Sequence, residues 1–167
     1  MTFLRFLMLL ALVVWIGGII FFAFVEAPTL FAVLPSTRIA GDVVSPSLNK
    51  LHWMGLLSGV VFLICSLLYN QLRYAQPKLF AASHVLIILM LALTAISQFR
   101  ITPRMRSLRS SLVAMQSGQM APPVPYADQL LATEFDRLHA WSTRLEGGVL
   151  LLGIAVVALT ARRNGGN

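Results

Sequence analysis

The chain has 167 residues, of which 57% are hydrophobic and only 11% are charged, and its formal net charge is +7. Soluble domains carry about 25% charged residues, so this composition excludes a water-soluble globular protein and indicates an integral membrane protein. The positive charge does not indicate nucleic-acid binding, because the basic residues cluster at the ends of apolar segments, where they set topology and contact lipid headgroups.

Four apolar segments predict four membrane-spanning helices. Residues 6–25, 51–72 and 79–99 hold no Lys, Arg, Asp or Glu and match the roughly 20 residues that cross a bilayer core. The fourth segment, residues 147–161, is too short for a full span, so its helix has to begin upstream. Arg144 and Glu146 then lie inside this span or at its boundary. We predict helices over residues 3–26, 47–71, 79–99 and 127–162.

The connections favour antiparallel neighbours. Pro28 disfavours helix at the preceding residue, so the first helix should end or kink near Ala27. Ser45 and Pro46 supply a cap and a first-turn proline for the second helix. The link between the second and third helices is short, which predicts that these two helices pack side by side in opposite directions.

The long connection after the third helix predicts one more helix, over residues 103–117. Thr102 and Pro103 favour a helix start, and the following apolar residues fall on one face, as in a helix lying along the membrane surface. The expected fold is therefore a single all-α domain, residues 1–167. It is an antiparallel bundle of four transmembrane helices with an amphipathic interfacial helix in the long connection between the third and fourth.

Two charge signals predict opposite orientations in the membrane. The side with both termini carries five basic residues and no acid, and Arg5 precedes the first helix directly. The other side carries more basic residues in total, over longer connections that also hold all six acids. Because acids weigh little in the positive-inside rule, this raw count favours the side with the long connections as cytoplasmic, whereas Arg5 favours the side with the termini. We expect a multi-pass protein of the bacterial inner membrane with both termini in the cytoplasm.

In such a bundle, four helix ends meet at one membrane face, and their ionisable residues should form a polar cluster. Ionisable groups inside a span are costly and usually face the bundle interior, where they find partners. The candidate cluster residues are Glu26, His52, Arg100, Arg106, His139, Arg144 and Glu146. The candidate packing residues on adjacent helix faces, where small side chains allow close approach, are Trp15, Gly17, Gly18, Gly55 and Gly59.

Glu146 has a structural and a functional interpretation. In the structural one it forms an ion pair with an arginine at the same face, for which the candidates are Arg100, Arg137 and Arg144. In the functional one it belongs to a site together with the histidines.

His52 and His139 also have two interpretations. They can bond helix ends or headgroups at the interface, or they can bracket a metal ion or a haem iron, because neutral imidazole is the commonest metal ligand. Copper and haem b are the candidate cofactors. His84 should enter from the opposite membrane face, and the single Cys65 excludes a disulfide framework.

Several stretches resemble a known family. "FLMLLALVVWIGGIIFFAFVEAPTLF", "LHWMGLLSGV", "ITPRMRSLR" and "FDRLHAWSTRLEGGVLLLG" together look like the bacterial relatives of transmembrane protein 205, a four-helix domain of unknown function. This resemblance implies a four-helix membrane protein whose eukaryotic relatives are linked to metal-drug resistance and secretory membranes. It does not imply a known reaction.

A more distant resemblance concerns the first helix alone. Trp15, Gly17 and Gly18, followed by Pro28 and Phe31, are similar to helix 1 of copper resistance protein D and of the small haem-dependent protoporphyrinogen oxidase. That oxidase is expected to carry a histidine in this helix, and the present chain has none there.

Two functions from different classes follow. The chain can be a membrane protein that handles a metal or haem, or a non-catalytic scaffold or accessory subunit whose polar cluster locks the bundle. A catalytic role has less support, since no nucleophile lies next to a base. The expected partners are the lipid bilayer and either a second copy of the chain or a larger membrane complex.

Overall fold

The computed structural model describes residues 2–74, 82–119 and 126–164, and every regular element in these ranges is helical. Four helices within them are long and apolar enough to cross a membrane, Thr2–Val33, Thr37–Leu72, Ala82–Gln116 and Ala127–Ala161, which indicates a multi-pass membrane protein. The helices are α1 (Thr2–Phe21), α2 (Ala27–Val33), α3 (Thr37–Tyr74), α4 (Ala82–Ile96), α5 (Thr102–Gln116) and α6 (Ala127–Asn164).

The first and third spans continue through their prolines by means of π-helical turns. Phe22–Glu26 joins α1 to α2 ahead of Pro28, and Ser97–Ile101 joins α4 to α5 ahead of Pro103. A proline lacks the N–H of an α-helix and its ring crowds the carbonyl four residues back. The wider turn changes the hydrogen-bond register just before the proline, so helical bonding is not interrupted.

The helical runs do not end near Ala27 or at residue 99. The first run reaches Val33, and the π-helical turn before Pro28 lies where the sequence predicts an end or a kink. The helix predicted over residues 103–117 is present as α5, and it begins directly after the π-helical turn that follows α4. It packs on α6, and Arg104 donates to Glu134 across that contact.

The second span also begins earlier than the sequence predicts. Its helix starts at Thr37 instead of residue 47, and the Ser36 hydroxyl caps it by accepting the N–H of Ile39 at 3.2 Å. Pro46 lies inside α3, not in its first turn. The carbonyl that Pro46 leaves without a helical donor belongs to Asp42, an exposed residue, so water can satisfy it.

Trp15 fills the contact between α1 and α3, where glycines leave room for the indole. A Cβ added at Gly55 would lie 2.8 Å from Trp15 Cδ1, and one added at Gly59 would lie 2.7 Å from Trp15 Cζ3. Gly18 is equally close to Leu51, with 2.8 Å from an added Cβ to Leu51 Cδ1. Gly18 lies against Leu51 and Trp15 against Gly55 and Gly59, so α1 and α3 run in opposite directions along this contact.

Gly17 does not belong to this contact, contrary to expectation. It is exposed, and a Cβ added there would have nothing within 4 Å among the described residues. The 100° step between successive helix residues turns Gly17 away from the face that carries Trp15 and Gly18.

The remaining contacts close the bundle. α3 packs on α4, α4 on α6, and α6 on α1, so the four long helices form a ring around a shared apolar core. Gly153 of α6 allows this closure, because a Cβ there would lie 2.8 Å from Ile16 and 3.3 Å from Met90. The expected start of the third helix at residue 79 lies outside the described residues.

Candidate functional site

His52 is the centre of a buried polar network. It lies on the face of α3 that also carries Gly55 and Gly59, which α3 presents to its neighbours, and only 1% of its surface is exposed. A buried imidazole needs hydrogen-bond partners for both ring nitrogens, because an unpaired polar group costs about 1–3 kcal/mol. Both partners come from other helical segments.

Gln98 fixes one side of the imidazole. Its Oε1 lies 2.9 Å from His52 Nδ1, and its Nε2 donates to Asn49 Oδ1 at 2.7 Å. Because the amide nitrogen is directed at Asn49, the oxygen facing His52 is an acceptor, so Nδ1 carries the proton. Asn49 precedes His52 by three residues, and the two side chains therefore share one face of α3.

The other side of the ring contacts Glu146 on α6. His52 Nε2 lies 2.6 Å from Glu146 Oε1, in the range of charge-assisted hydrogen bonds, and the glutamate side chain is 16% exposed. This contact joins α3 directly to α6.

The π-helical turn Ser97–Ile101 supplies the third element of the network. Ser97, Gln98 and Ile101 are all buried, and the Ser97 hydroxyl lies 3.5 Å from that of Ser142 on α6. The Ser97 carbonyl accepts both the backbone N–H of Thr102 and its hydroxyl, the latter at 3.0 Å. The wide turn thereby places two successive polar side chains, Ser97 and Gln98, in buried positions against other helices.

Most of the expected cluster residues lie elsewhere. Glu26 is half-buried and makes no hydrogen bond or ion pair with the residues that the structure describes. Arg100 is exposed, and the Arg144 guanidinium lies over the Trp141 ring, 5.5 Å from its centroid. The partner of Glu146 is thus His52, and none of the expected arginines pairs with it.

His139 and Arg106 face a different feature, a groove of ≈ 420 Å³ between α3, α5 and α6. His139 is exposed and its ring stacks on Phe135, with ring centroids 6.4 Å apart. It precedes Glu146 by seven residues, which is two helical turns or about 10 Å along α6. The structure therefore does not bring His139 to His52, contrary to the expected pairing.

The described residues contain no group of three or more His, Cys, Asp or Glu side chains able to hold a metal ion. His84 is buried near the start of α4, and Cys65 is buried in α3. Neither is part of the network around His52.

Asn49 and Gln98 are the network members that the sequence did not indicate. Both are neutral amides, so neither stands out in a search for charges inside an apolar span. The signal that was available is spacing: Asn49 shares the helix face of His52, and Gln98 follows the buried Thr94 by one turn.

A family model described as a domain of unknown function, DUF4149, matches residues 10–112. The match includes Asn49, His52 and Gln98, whereas Glu146 lies beyond its end. No curated protein and no solved structure gives a match to the chain. Because the family model covers more than half of its length, the chain belongs to the DUF4149 family.

Proposed function

We propose that the protein is a non-catalytic component of a bacterial inner membrane, acting as a scaffold or accessory subunit, and that its buried network locks three spans together. The observation that carries the proposal is the complete bonding of His52, whose two ring nitrogens bond side chains of two other spans. The resemblance to bacterial relatives of transmembrane protein 205 is consistent with this role and adds no reaction.

The network can fix the arrangement of the helices because hydrogen bonds depend on direction. Apolar packing alone drives helices together weakly inside a bilayer, since lipid tails are as apolar as the side chains. A hydrogen-bonded set that links α3, the π-helical turn and α6 favours one rotation of each helix over all others. The His52–Glu146 contact gives each of these polar groups a partner from another helix.

The metal or haem alternative fits the geometry poorly. A metal ligand needs a free lone pair on an imidazole nitrogen, and in His52 Nδ1 carries a proton donated to Gln98 while Nε2 faces a carboxyl oxygen at 2.6 Å. The proposed second ligand, His139, stacks on Phe135 in a different part of the protein. These residues do not fit a haem or copper site, and no step of a mechanism is assigned to either group.

We further propose that the four spans cross the membrane in alternating directions. An α3 of 38 residues is about 57 Å long, whereas the hydrocarbon core is about 30 Å thick. With the uncharged residues 51–72 in the core, His52 lies at its boundary. The start of α3, α5 and the first half of α6 then form a helical layer beyond the core, in and above the headgroups.

The test compares His52→Ala with His139→Ala, using protein from cells supplied with copper, iron and haem. A lock predicts that wild-type protein shows no Soret band and no equimolar metal, and that His52→Ala lowers the unfolding midpoint in SDS. The exposed His139 serves as the matched control, with a change within about 0.5 kcal/mol. Equimolar metal or haem that disappears in both variants would overturn the proposal in favour of a cofactor site.

A further inference from the structure

The groove at His139 lies directly above the buried network. Its lining includes Leu48, Thr102 and Ser142. Each of these is four residues from a network member on the same helical run, His52, Gln98 and Glu146 respectively. Along each helix, one turn of about 5.4 Å therefore separates these lining residues from the network. With His52 at the edge of the hydrocarbon core, the groove lies at the depth of the lipid headgroups.

The walls of the groove combine apolar and basic side chains. Apolar side chains from four helices line it, among them Phe31, Val44, Met105 and Phe135. The basic residues that line it are Arg38, Arg106 and Arg109, together with the imidazole of His139. An apolar cleft with a few convergent polar groups is the usual form of a binding site for a small or amphiphilic ligand.

Ion pairs within the protein neutralise only part of the positive charge that the arginines bring to the groove. Arg109 bonds Asp42 at 3.0 Å and donates to the carbonyl oxygen of Arg38, while its guanidinium packs on Gly41. Asp136 is the one acidic residue in the lining itself. Three arginines against these two carboxylates leave a surplus of one positive charge. Within the described ranges, Arg106 has no acidic group within ion-pair distance.

We propose that this groove binds the headgroup of an anionic membrane phospholipid with a single phosphodiester. Arg106 contacts the phosphate, and His139, held by its stacking on Phe135, donates a hydrogen bond to it. The apolar wall packs against the glycerol and the upper acyl chain. The surplus of one positive charge matches the one negative charge of such a lipid, and a guanidinium matches phosphate oxygens with paired donors. This proposal does not depend on the role of the His52 network.

The test uses the full chain in detergent micelles, with binding of phosphatidylglycerol and phosphatidylcholine of identical acyl chains measured by native mass spectrometry. We expect phosphatidylglycerol to bind at one site, at least tenfold tighter than phosphatidylcholine. Arg106→Gln should remove most of this preference, and His139→Ala should weaken binding severalfold. Arg104→Gln is the matched control, because Arg104 has the same charge on the same helix but pairs with Glu134 and does not line the groove.

Three outcomes would overturn the proposal. Equal binding of the two lipids would show that the groove does not recognise net charge. An equal loss in Arg104→Gln and Arg106→Gln would show diffuse attraction by the basic surface in place of a site. Displacement of the lipid by millimolar glycerol phosphate or inorganic phosphate would show that the ligand is a soluble phosphate compound. Helical circular dichroism and gel filtration of each variant separate loss of binding from loss of fold.

Discussion

His52 Nε2 and Glu146 Oε1 lie 2.6 Å apart, so one hydrogen bond joins the second span to the fourth. The two residues are 94 positions apart in the sequence. The third span contacts both of their helices, because Gln98 bonds His52 on α3 and the Ser97 hydroxyl lies 3.5 Å from that of Ser142 on α6. Polar substitutions at these positions should therefore affect the packing of three spans.

Removal of either His52 or Glu146 should lower the free energy of unfolding of the bundle. Glu146→Ala leaves His52 Nε2 buried without a partner, and we expect a loss of about 1–3 kcal/mol. Glu146→Gln should cost less, because its amide can still donate to the imidazole. Unfolding in mixed SDS micelles measures these differences.

The double variant His52→Ala/Glu146→Ala isolates the pair itself. Interhelical hydrogen bonds in membranes average about 0.6 kcal/mol and reach about 1.7, so a coupling energy between about 0.5 and 2 kcal/mol is expected. Additive effects of the two single variants would mean that the side chains do not bond in the membrane.

The glycines that face Trp15 give a second prediction. Gly55→Ala places a methyl group 2.8 Å from Trp15 Cδ1, and overpacking of this kind costs about 1–3 kcal/mol. Gly17→Ala, which meets nothing within 4 Å among the described residues, should change the unfolding free energy by less than about 0.5 kcal/mol. Trp15→Phe should restore part of the stability that Gly55→Ala removes. Equal losses at both glycines would place the contact elsewhere.

The sequence predicts the parts of this structure that depend on helix period and hydrophobicity. Four apolar segments predict four long helices, and these are present. The face of α3 with His52, Gly55 and Gly59 is buried, as expected for a packing face. The charge of Glu146 next to an apolar stretch predicts a partner across the bundle. Of the two interpretations, an ion pair with an arginine or a place beside the histidines, the contact with His52 agrees with the second.

The helix ends could not be predicted, because a proline ends a regular α-helix but can be accommodated where the preceding turn is π-helical. Pro28 and Pro103 normally end a helix, yet here each follows a π-helical turn that accommodates it. A π-helical turn has no sequence pattern comparable to the period of 3.6 residues. The same turn decides that Gln98 faces His52, so one of the central residues of the network depends on a feature that hydropathy does not show.

The position of His139 could not be predicted from the sequence for a related reason. Sequence position suggested that it and His52 lie at the same depth, since both are near the start of an apolar span. However, α6 begins its contact with α5 well before its apolar segment. His139 therefore lies two turns beyond Glu146 and faces the groove instead of the bundle interior. Hydropathy shows which segment is apolar, but it does not show how far the helix extends beyond the bilayer.

Disulfide cross-linking can test the contact between α1 and α3. In a Cys65→Ser background, Gly18→Cys with Leu51→Cys should cross-link rapidly, because an added Cβ at residue 18 lies 2.8 Å from the Leu51 side chain. Gly17→Cys with Leu51→Cys is the control and should remain reduced under the same mild oxidation. Non-reducing electrophoresis after protease cleavage between the helices measures the product. Cross-linking at residue 17 instead of 18 would mean that α1 is rotated by about 100°.

The orientation of the bundle is the last prediction, and it rests on the distribution of charges. Arg5 directly precedes the first span, and the next basic residue after that span is Arg38. Basic residues directly before a first span favour a cytoplasmic N-terminus. We therefore expect both termini to be cytoplasmic and the groove to face the periplasmic leaflet.

Fusions to alkaline phosphatase and to green fluorescent protein, placed after residue 167 and after residue 119, measure this orientation directly. The fusion after residue 167 should fluoresce and lack phosphatase activity, and the fusion after residue 119 should show the reverse. Phosphatase requires an oxidising compartment to fold, so its activity reports the periplasm without reference to the structure. Active phosphatase after residue 167 would invert the assignment. It would place the groove in the cytoplasmic leaflet, where anionic lipids would meet it from the other side of the membrane.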